Sequence, residues 1–274
     1  IDTSSLGGMY AGKISLISTE QGVGINNAGQ VFASVGHIKI SANGEVLNSG
    51  AVVAENKVDS TPTSLNIQAK NLNNTGKILS LGDQRIQAEN VNNTGLINSQ
   101  GLTRIDASQG IQNVGTGQIY GDHIALQTAH LLNAEQQTSE GVKAGTIAAR
   151  QRLDIAGGKI ENREQALIAS EGTLTVGGQL NVNHMAEGSA ASLDNASARI
   201  QSVGDMYLGL DTLTNRNLHF SSSVKEIPET RKDVTAYQGA GSAEILDSSH
   251  ITGYGGHDTI YLDGQKYEDY TRYI

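Results

Sequence analysis

The sequence predicts an all-β fold, a right-handed parallel β-helix (a solenoid) of about ten coils with extruded loops. Three observations lead there: a repeat of about 20 residues, alternation of apolar and polar residues within it, and turn residues that interrupt every short run. The repeat reads apolar-x-apolar-x-Ala, then Leu/Val/Ile-x-Asn-x-Gly, then apolar-x-Ser. It is seen by setting Leu65-Asn-Ile-Gln-Ala-Lys-Asn-Leu-Asn-Asn-Thr-Gly against Arg85-Ile-Gln-Ala-Glu-Asn-Val-Asn-Asn-Thr-Gly. A fixed period of this size means one supersecondary unit copied and stacked, because a single unit cannot bury its apolar row alone.

The period is counted on one landmark. Asn27, Asn48, Asn74, Asn93, Asn113, Asn133, Asn162, Asn195 and Asn215 are spaced 21, 26, 19, 20, 20, 29, 33 and 20 residues apart. The long intervals are a coil plus an insertion, and Ser248, in Leu246-Asp-Ser, fills the same slot 33 residues after Asn215. Asn at one corner of every coil fits an internal ladder of side-chain amides, formed by Asn48, Asn74, Asn93, Asn113, Asn133, Asn162, Asn195 and Asn215. It also fits a simple turn preference, since Asn tolerates positive φ.

Within each unit Leu65, Ile67 and Ala69 alternate with Asn66, Gln68 and Lys70, as Ile38 and Ile40, Leu153 and Ile155, and Leu174 and Val176 alternate with their neighbours. Period 2 marks strands with one buried face. The 33 Gly, with Asn and Ser, break the runs and would stop a helix from propagating. Three short strands per unit, stacked at about 4.8 Å per coil, give a rod of about 45–50 Å. A leucine-rich repeat needs a Leu-x-x-Leu-x-Leu register, and the apolar spacing of 2 excludes it.

Composition narrows the partners. With 19 basic and 28 acidic residues the net charge is −9 and the pI about 5.2, which argues against a nucleic-acid or anionic-membrane footprint. There is no Trp, two Phe and no Cys, so the core is Ile, Leu, Val and Ala, and neither a disulfide nor a thiolate metal site can form. No apolar run reaches the length of a spanning helix, and the stretch is expected to carry no signal peptide. The chain begins inside a motif, as a fragment of a longer protein would.

The segment Leu6-Gly-Gly-Met-Tyr-Ala-Gly-Lys-Ile-Ser-Leu-Ile-Ser-Thr-Glu-Gln-Gly-Val-Gly-Ile-Asn-Asn-Ala-Gly29 resembles one found in large exoproteins of the two-partner secretion pathway. These are the filamentous haemagglutinin-like adhesins and contact-dependent growth inhibition exoproteins of Gram-negative bacteria, and the units that follow are similar to their haemagglutinin repeats. The resemblance covers about residues 1–218. It implies a right-handed parallel β-helix, export through an outer-membrane transporter, display at the cell surface, and a role in projecting adhesive or toxin modules toward a target cell. In the growth-inhibition branch it also implies a receptor-binding segment after the first repeats.

The organisation expected is a haemagglutinin-repeat β-helix over 1–218, an extruded loop or hairpin over 219–243, and a final coil with a Tyr-rich tail, or the start of a following segment, over 244–274. The period breaks at 57–64, 135–143, 183–191 and 219–243, where function can be added without disturbing the stack. Val224 and Ile227 in the last of these, with Tyr237, Tyr254, Tyr261, Tyr267 and Tyr270 beyond it, are the candidate partner contacts, since Tyr is favoured at binding surfaces. The plainer reading is that the tyrosines cover the last coil as a cap. Gly253-Tyr-Gly-Gly-His-Asp-Thr-Ile-Tyr-Leu has the look of a single calcium nonapeptide, but Ile251, Gly253, Asp258, Ile260 and Leu262 also echo an ordinary coil, and that reading is preferred.

The seven His are scattered, and His123 and His130 are expected at the exposed surface. No zinc-type His pair, nucleophile elbow or phosphate-binding Gly loop occurs. The expectation is therefore no enzymatic activity, no cofactor, no metal, no small-molecule substrate and no nucleic acid. The expected partners are the transporter during export and a target-cell receptor. The rival to the stalk is a binding module acting through 219–274.

Overall fold

The computed structural model describes residues 1–20, 22–56, 63–225 and 234–274. They are nearly all β, with one short 3₁₀ turn, Ser248–His250, as the only helical element among them. They divide into two compact units, Ile1–Phe220 and Ser221–Ile274.

The first unit is built on parallel pairing. Its strands join a 21-stranded sheet in which each segment pairs with the segment one repeat further on, so the period found in the sequence is the register of the structure. Three ladders result. In the first, Ile14, Ile38, Leu65, Gln84, Thr103, Ile124, Leu153 and Leu174 are successive partners. The column two residues along is Leu16, Ile40, Ile67, Ile86, Ile105, Leu126, Ile155 and Val176. In the second ladder Ile25, Val46, Leu72, Val91, Ile111, Leu131, Ile160 and Leu193 stack. In the third Val31, Val52, Ile78, Ile97, Ile119, Ile147 and Ile168 stack. Nearly all of these side chains are fully buried and form one continuous core. The alternation carries this arrangement: inward residues meet like residues above and below, while Asn66, Arg85 and Gln87 between them face out.

Corners are tight because successive coils approach closely. A Cβ on Gly76 would lie 2.0 Å from the Gly50 carbonyl oxygen, and one on Gly95 would lie 2.2 Å from that of Gly76. Only Gly fits there, whatever its φ.

Two of the expected insertions are described. Glu135–Thr138 turns back to pair antiparallel with Gly141–Ala144, a hairpin standing off the second ladder. The break expected at 183–191 starts earlier, where Gln179–Leu180 pairs with Ala186–Glu187. The loop expected at 57–64 lies, for residues 57–62, outside the described residues.

The parallel stack ends at Leu210–Arg216, and Leu208 and Leu213, the last members of their columns, are exposed. The tenth coil expected around Ser248 does not form. Ser248 sits in the 3₁₀ turn, and Ile251–Gly255 pairs antiparallel with Thr259–Leu262, which pairs antiparallel with Gln265–Tyr267. The reason is local: Asp263 and Gly264 both have positive φ, 47° and 84°, the signature of a two-residue hairpin loop. The Asp-Gly pair between Thr259–Leu262 and Gln265–Tyr267 makes the chain double back and not circle on. A second antiparallel sheet joins Ala236–Gly239 to Leu246–Asp247 and to Tyr270–Tyr273. The expected final coil is therefore an antiparallel unit with a core of its own, Tyr237, Ile260 and Leu262.

Candidate functional site

The Asn corner closes the second ladder. Asn27, Asn48, Asn74, Asn93, Asn113, Asn133, Asn162, Asn195 and Asn215 are register partners, and each donates from Nδ2 to Oδ1 of the next at 2.7–2.9 Å. All but Asn215 are buried. The second Nδ2 hydrogen goes to backbone carbonyls: Asn113 also donates to the Gly117 and Thr146 oxygens at 3.2 and 3.1 Å. One amide thus satisfies the turn of its own coil and bridges to the next, so the turn role and the ladder role are the same interaction.

Side-chain chemistry gathers on the outer face of the first ladder. Asp154 is fully buried as a side chain. It accepts from Arg152 Nε at 2.6 Å and from the Ala186 N–H at 2.8 Å, and pairs with His123 Nε2 at 2.9 Å. Burial alone raises its pKa, but the bonds from His123, Arg152 and Ala186 outweigh it and hold the carboxyl below its usual value. Glu161 behaves alike: burial opposes, and Lys159 and His130, at 2.9 and 2.5 Å, prevail and lower it. Both histidines expected at the exposed surface are therefore half-buried partners of carboxylates. The cause is the register, which sets His123 beside Arg152 and His130 beside Lys159, with the acid two residues further along the same strand.

A groove of about 800 Å³ follows the corner between the first and second ladders. Its floor carries Ala69, Ala88 and Ala107, with Gln127 on one edge and Gly178 and Ser189 at the far end. No expectation from the sequence covers this groove. Its signal is the Gln-Ala dipeptide at the end of the first strand in two successive repeats, Gln68-Ala69 and Gln87-Ala88.

The expected partner contacts separate. Tyr237 and Tyr270 rings are 5.9 Å apart and tilted 50°, inside the small core of the second unit. Tyr267 packs so close to Gly239 that a Cβ there would lie 2.1 Å from its ring. Tyr261 is half-buried, and its ring lies 3.4 Å from where a Gly255 Cβ would be. Tyr254 and Val224 are exposed, at 64% and 94%. The Tyr237 hydroxyl, more than burial, raises the Tyr254 phenol above its ordinary value. Ile227 lies outside the described residues. Among the described residues no group of three or more His, Asp or Glu could hold a metal ion, and no helix is long and apolar enough to cross a membrane.

No protein-family model matches the chain, and no solved structure matches it. Curated relatives do match parts of it. Toxin CdiA of Yersinia pestis is 48% identical over 66 residues, 24% of this chain and 2% of that protein. The tRNA nuclease CdiA-2 of Burkholderia pseudomallei is 50% identical over 50 residues, 18% of this chain and 2% of that protein. The tRNA nuclease CdiA of Yersinia mollaretii is 26% identical over 211 residues, 64% of this chain and 7% of that protein. The chain thus spans only a few per cent of the length of these relatives.

The names correct two expectations. Relatives named tRNA nucleases overturn the expectation of no enzymatic activity, and with it that of no nucleic-acid partner. The physical reason is scale: acidic charge and missing catalytic motifs describe this stretch of chain, whereas the activity in those names belongs to proteins many times longer.

Proposed function

We propose that the chain is a section of a large CdiA-like exoprotein. In this reading residues 1–218 are a haemagglutinin-repeat region folded as a right-handed parallel β-helix. The protein leaves the cell through a two-partner outer-membrane transporter and stands at the bacterial surface, and this section is a stiff stalk that carries adhesive or toxin modules toward a target cell. The observation that carries the proposal is the unbroken Asn27–Asn215 amide ladder. It ties the coils of the first unit end to end, as a spacer under load requires. The local identities to CdiA proteins support the family context. The RNA-cleaving activity in the relatives' names is proposed for the whole protein, with this section supplying reach.

A second reading has its own observation. Residues 221–274 form a separate antiparallel unit with Val224 and Tyr254 exposed, and such a unit suits receptor contact better than load-bearing. Binding of the labelled chain to intact Gram-negative cells, beside a version ending at Phe220, separates the two. Binding by the full chain alone supports receptor contact in 221–274. No binding by either, with β-rich circular dichroism from both, leaves the stalk. Binding by both forms at equal strength would sink the pure stalk reading.

A further inference from the structure

Between the first-ladder strand Thr173–Gly177 and the second-ladder strand Ala190–Ala196 the chain leaves the stack as a narrow hairpin. Its turn is tied by Asn181 Oδ1, which accepts from the N–H groups of Asn183 and Met185 at 2.9 and 3.1 Å. The hairpin does not project. It lies back across the outer face of earlier coils and is fixed at three points. The Leu180 N–H donates to Gln127 Oε1 at 2.8 Å, and the Ala186 N–H donates to Asp154 Oδ1 at 2.8 Å. At the tip, Arg104 Nη1 donates to His184 Nδ1 at 2.5 Å. Ala125 and Ala156 occupy outward positions of the sheet and yet are fully buried, in contrast to Arg85 and Gln87, outward in the same two columns two and three coils earlier.

The attachment is polar. Val182 is 91% exposed and Met185 is 39% exposed, so no large apolar side chain anchors the tip. His184 itself has φ +63°. A residue with a Cβ costs about 1–2 kcal/mol in that left-handed conformation, which Gly or Asn occupies more readily. The ring carried at this turn position is the one that meets Arg104.

The charges facing that ring come from every strand beneath it. Arg85 and Asp83, then Arg104 and Asp106, then His123, then Arg152 and Asp154 lie along the face, and Glu187 is on the hairpin itself. Nδ1 accepts from Arg104 only while it carries no proton. A proton there removes the acceptor and sets a positive charge against two guanidinium groups.

We propose that residues 178–189 are an acid-released strap, docked while His184 is neutral and freed when it is protonated, uncovering Ala125 and Ala156 and opening the end of the groove that Gly178 and Ser189 line. The titration direction agrees. Burial first, then Arg104, His123 and Arg85, push the imidazole below its usual value, with Asp106 opposing. A group depressed in the docked state contributes its stability above the free imidazole value of about 6.5, and that stability is lost as pH falls through the lower docked value. The Asp154 carboxyl is held low, so it stays charged in this window and its bond to Ala186 is not the one that fails.

Hydrogen exchange of the full chain, corrected for intrinsic rates, tests this at about pH 7.5 and pH 5. The wild type is expected to lose several-fold to tenfold of the protection over 179–187, with the strands around Leu126 and Ile155 unchanged. His184→Asn keeps an acceptor for Arg104 and tolerates the turn, and its strap is expected to stay protected at both pH values. Equal protection of the wild type at the two pH values overturns the proposal. So does the same loss in His184→Asn, a strap unprotected throughout, or loss shared by the core strands.

Discussion

Replacing Asn113 tests the amide ladder at its middle. The side chain makes four hydrogen bonds: it accepts from Asn93 Nδ2 at 2.8 Å and donates to Asn133 Oδ1 at 2.8 Å, to Gly117 O at 3.2 Å and to Thr146 O at 3.1 Å. In Asn113→Ala, Asn93 keeps its bonds to the Gly95 and Gln118 oxygens, and the Gly117 oxygen keeps the Thr146 N–H. Asn133 Oδ1 is left buried with no donor. One orphaned buried acceptor costs about 1–3 kcal/mol, and the small cavity adds to it, giving about 2–4 kcal/mol. Asn113→Asp is expected to be worse, because a carboxylate there faces three oxygens and carries a buried unpaired charge. Asn215→Ala, at the exposed last rung, is expected to stay within about 0.5 kcal/mol of wild type. Chemical denaturation followed by circular dichroism, with local hydrogen exchange to see whether one coil or the whole stack opens, measures all three. If Asn113→Ala cost no more than Asn215→Ala, or Asn113→Asp were the milder change, the ladder would be a bystander to turn formation.

Two more outcomes follow from buried polar groups. Gln84 occupies a core position between Leu65 and Thr103, and neither its oxygen nor its nitrogen has a partner. Gln84→Leu is therefore expected to stabilise by about 1–3 kcal/mol, read as a raised denaturation midpoint, and a lowered one would show that the amide is satisfied. Asp154 has a depressed folded pKa, so its contribution is present above the ordinary carboxyl value of 3.8 and is lost as pH falls through the lower folded value. Asp154→Asn should flatten that part of the acid unfolding curve, and an unchanged slope would refute the assignment.

The parallel ladders were legible because period and alternation are properties of the backbone: the spacing of Asn93, Asn113 and Asn133 is the strand register itself. What was misread depended on two-residue chemistry. Asp263-Gly264 reverses the chain, whereas the apolar echo of Ile251 and Leu262 suggests another coil and carries no sign of that reversal. The strap was missed for another reason. Its contacts, Leu180 to Gln127 and His184 to Arg104, span 53 and 80 residues. Nothing periodic links a loop to the face it crosses. The half-burial of His123 and His130 is intermediate: a reader who trusted the register could have set each beside its acid.

The direction of the amide ladder sets a rule for what can adjoin it. Every Asn from Asn27 to Asn195 gives a proton forward, and every one from Asn48 to Asn215 takes one from behind. The side-chain dipoles therefore add head to tail, as the peptide dipoles of a helix do, and each bond polarises the next in the same sense. Such a column reads differently from its two ends. A coil laid on Asn215 has to bring an oxygen to that corner, so Asn, Asp, Ser or Thr serve, while Lys, or a bare apolar side chain, stops the column. Coil order along the axis is thus written in proton direction as well as in shape, and a segment inserted in reverse would meet one neighbour donor to donor and the other acceptor to acceptor.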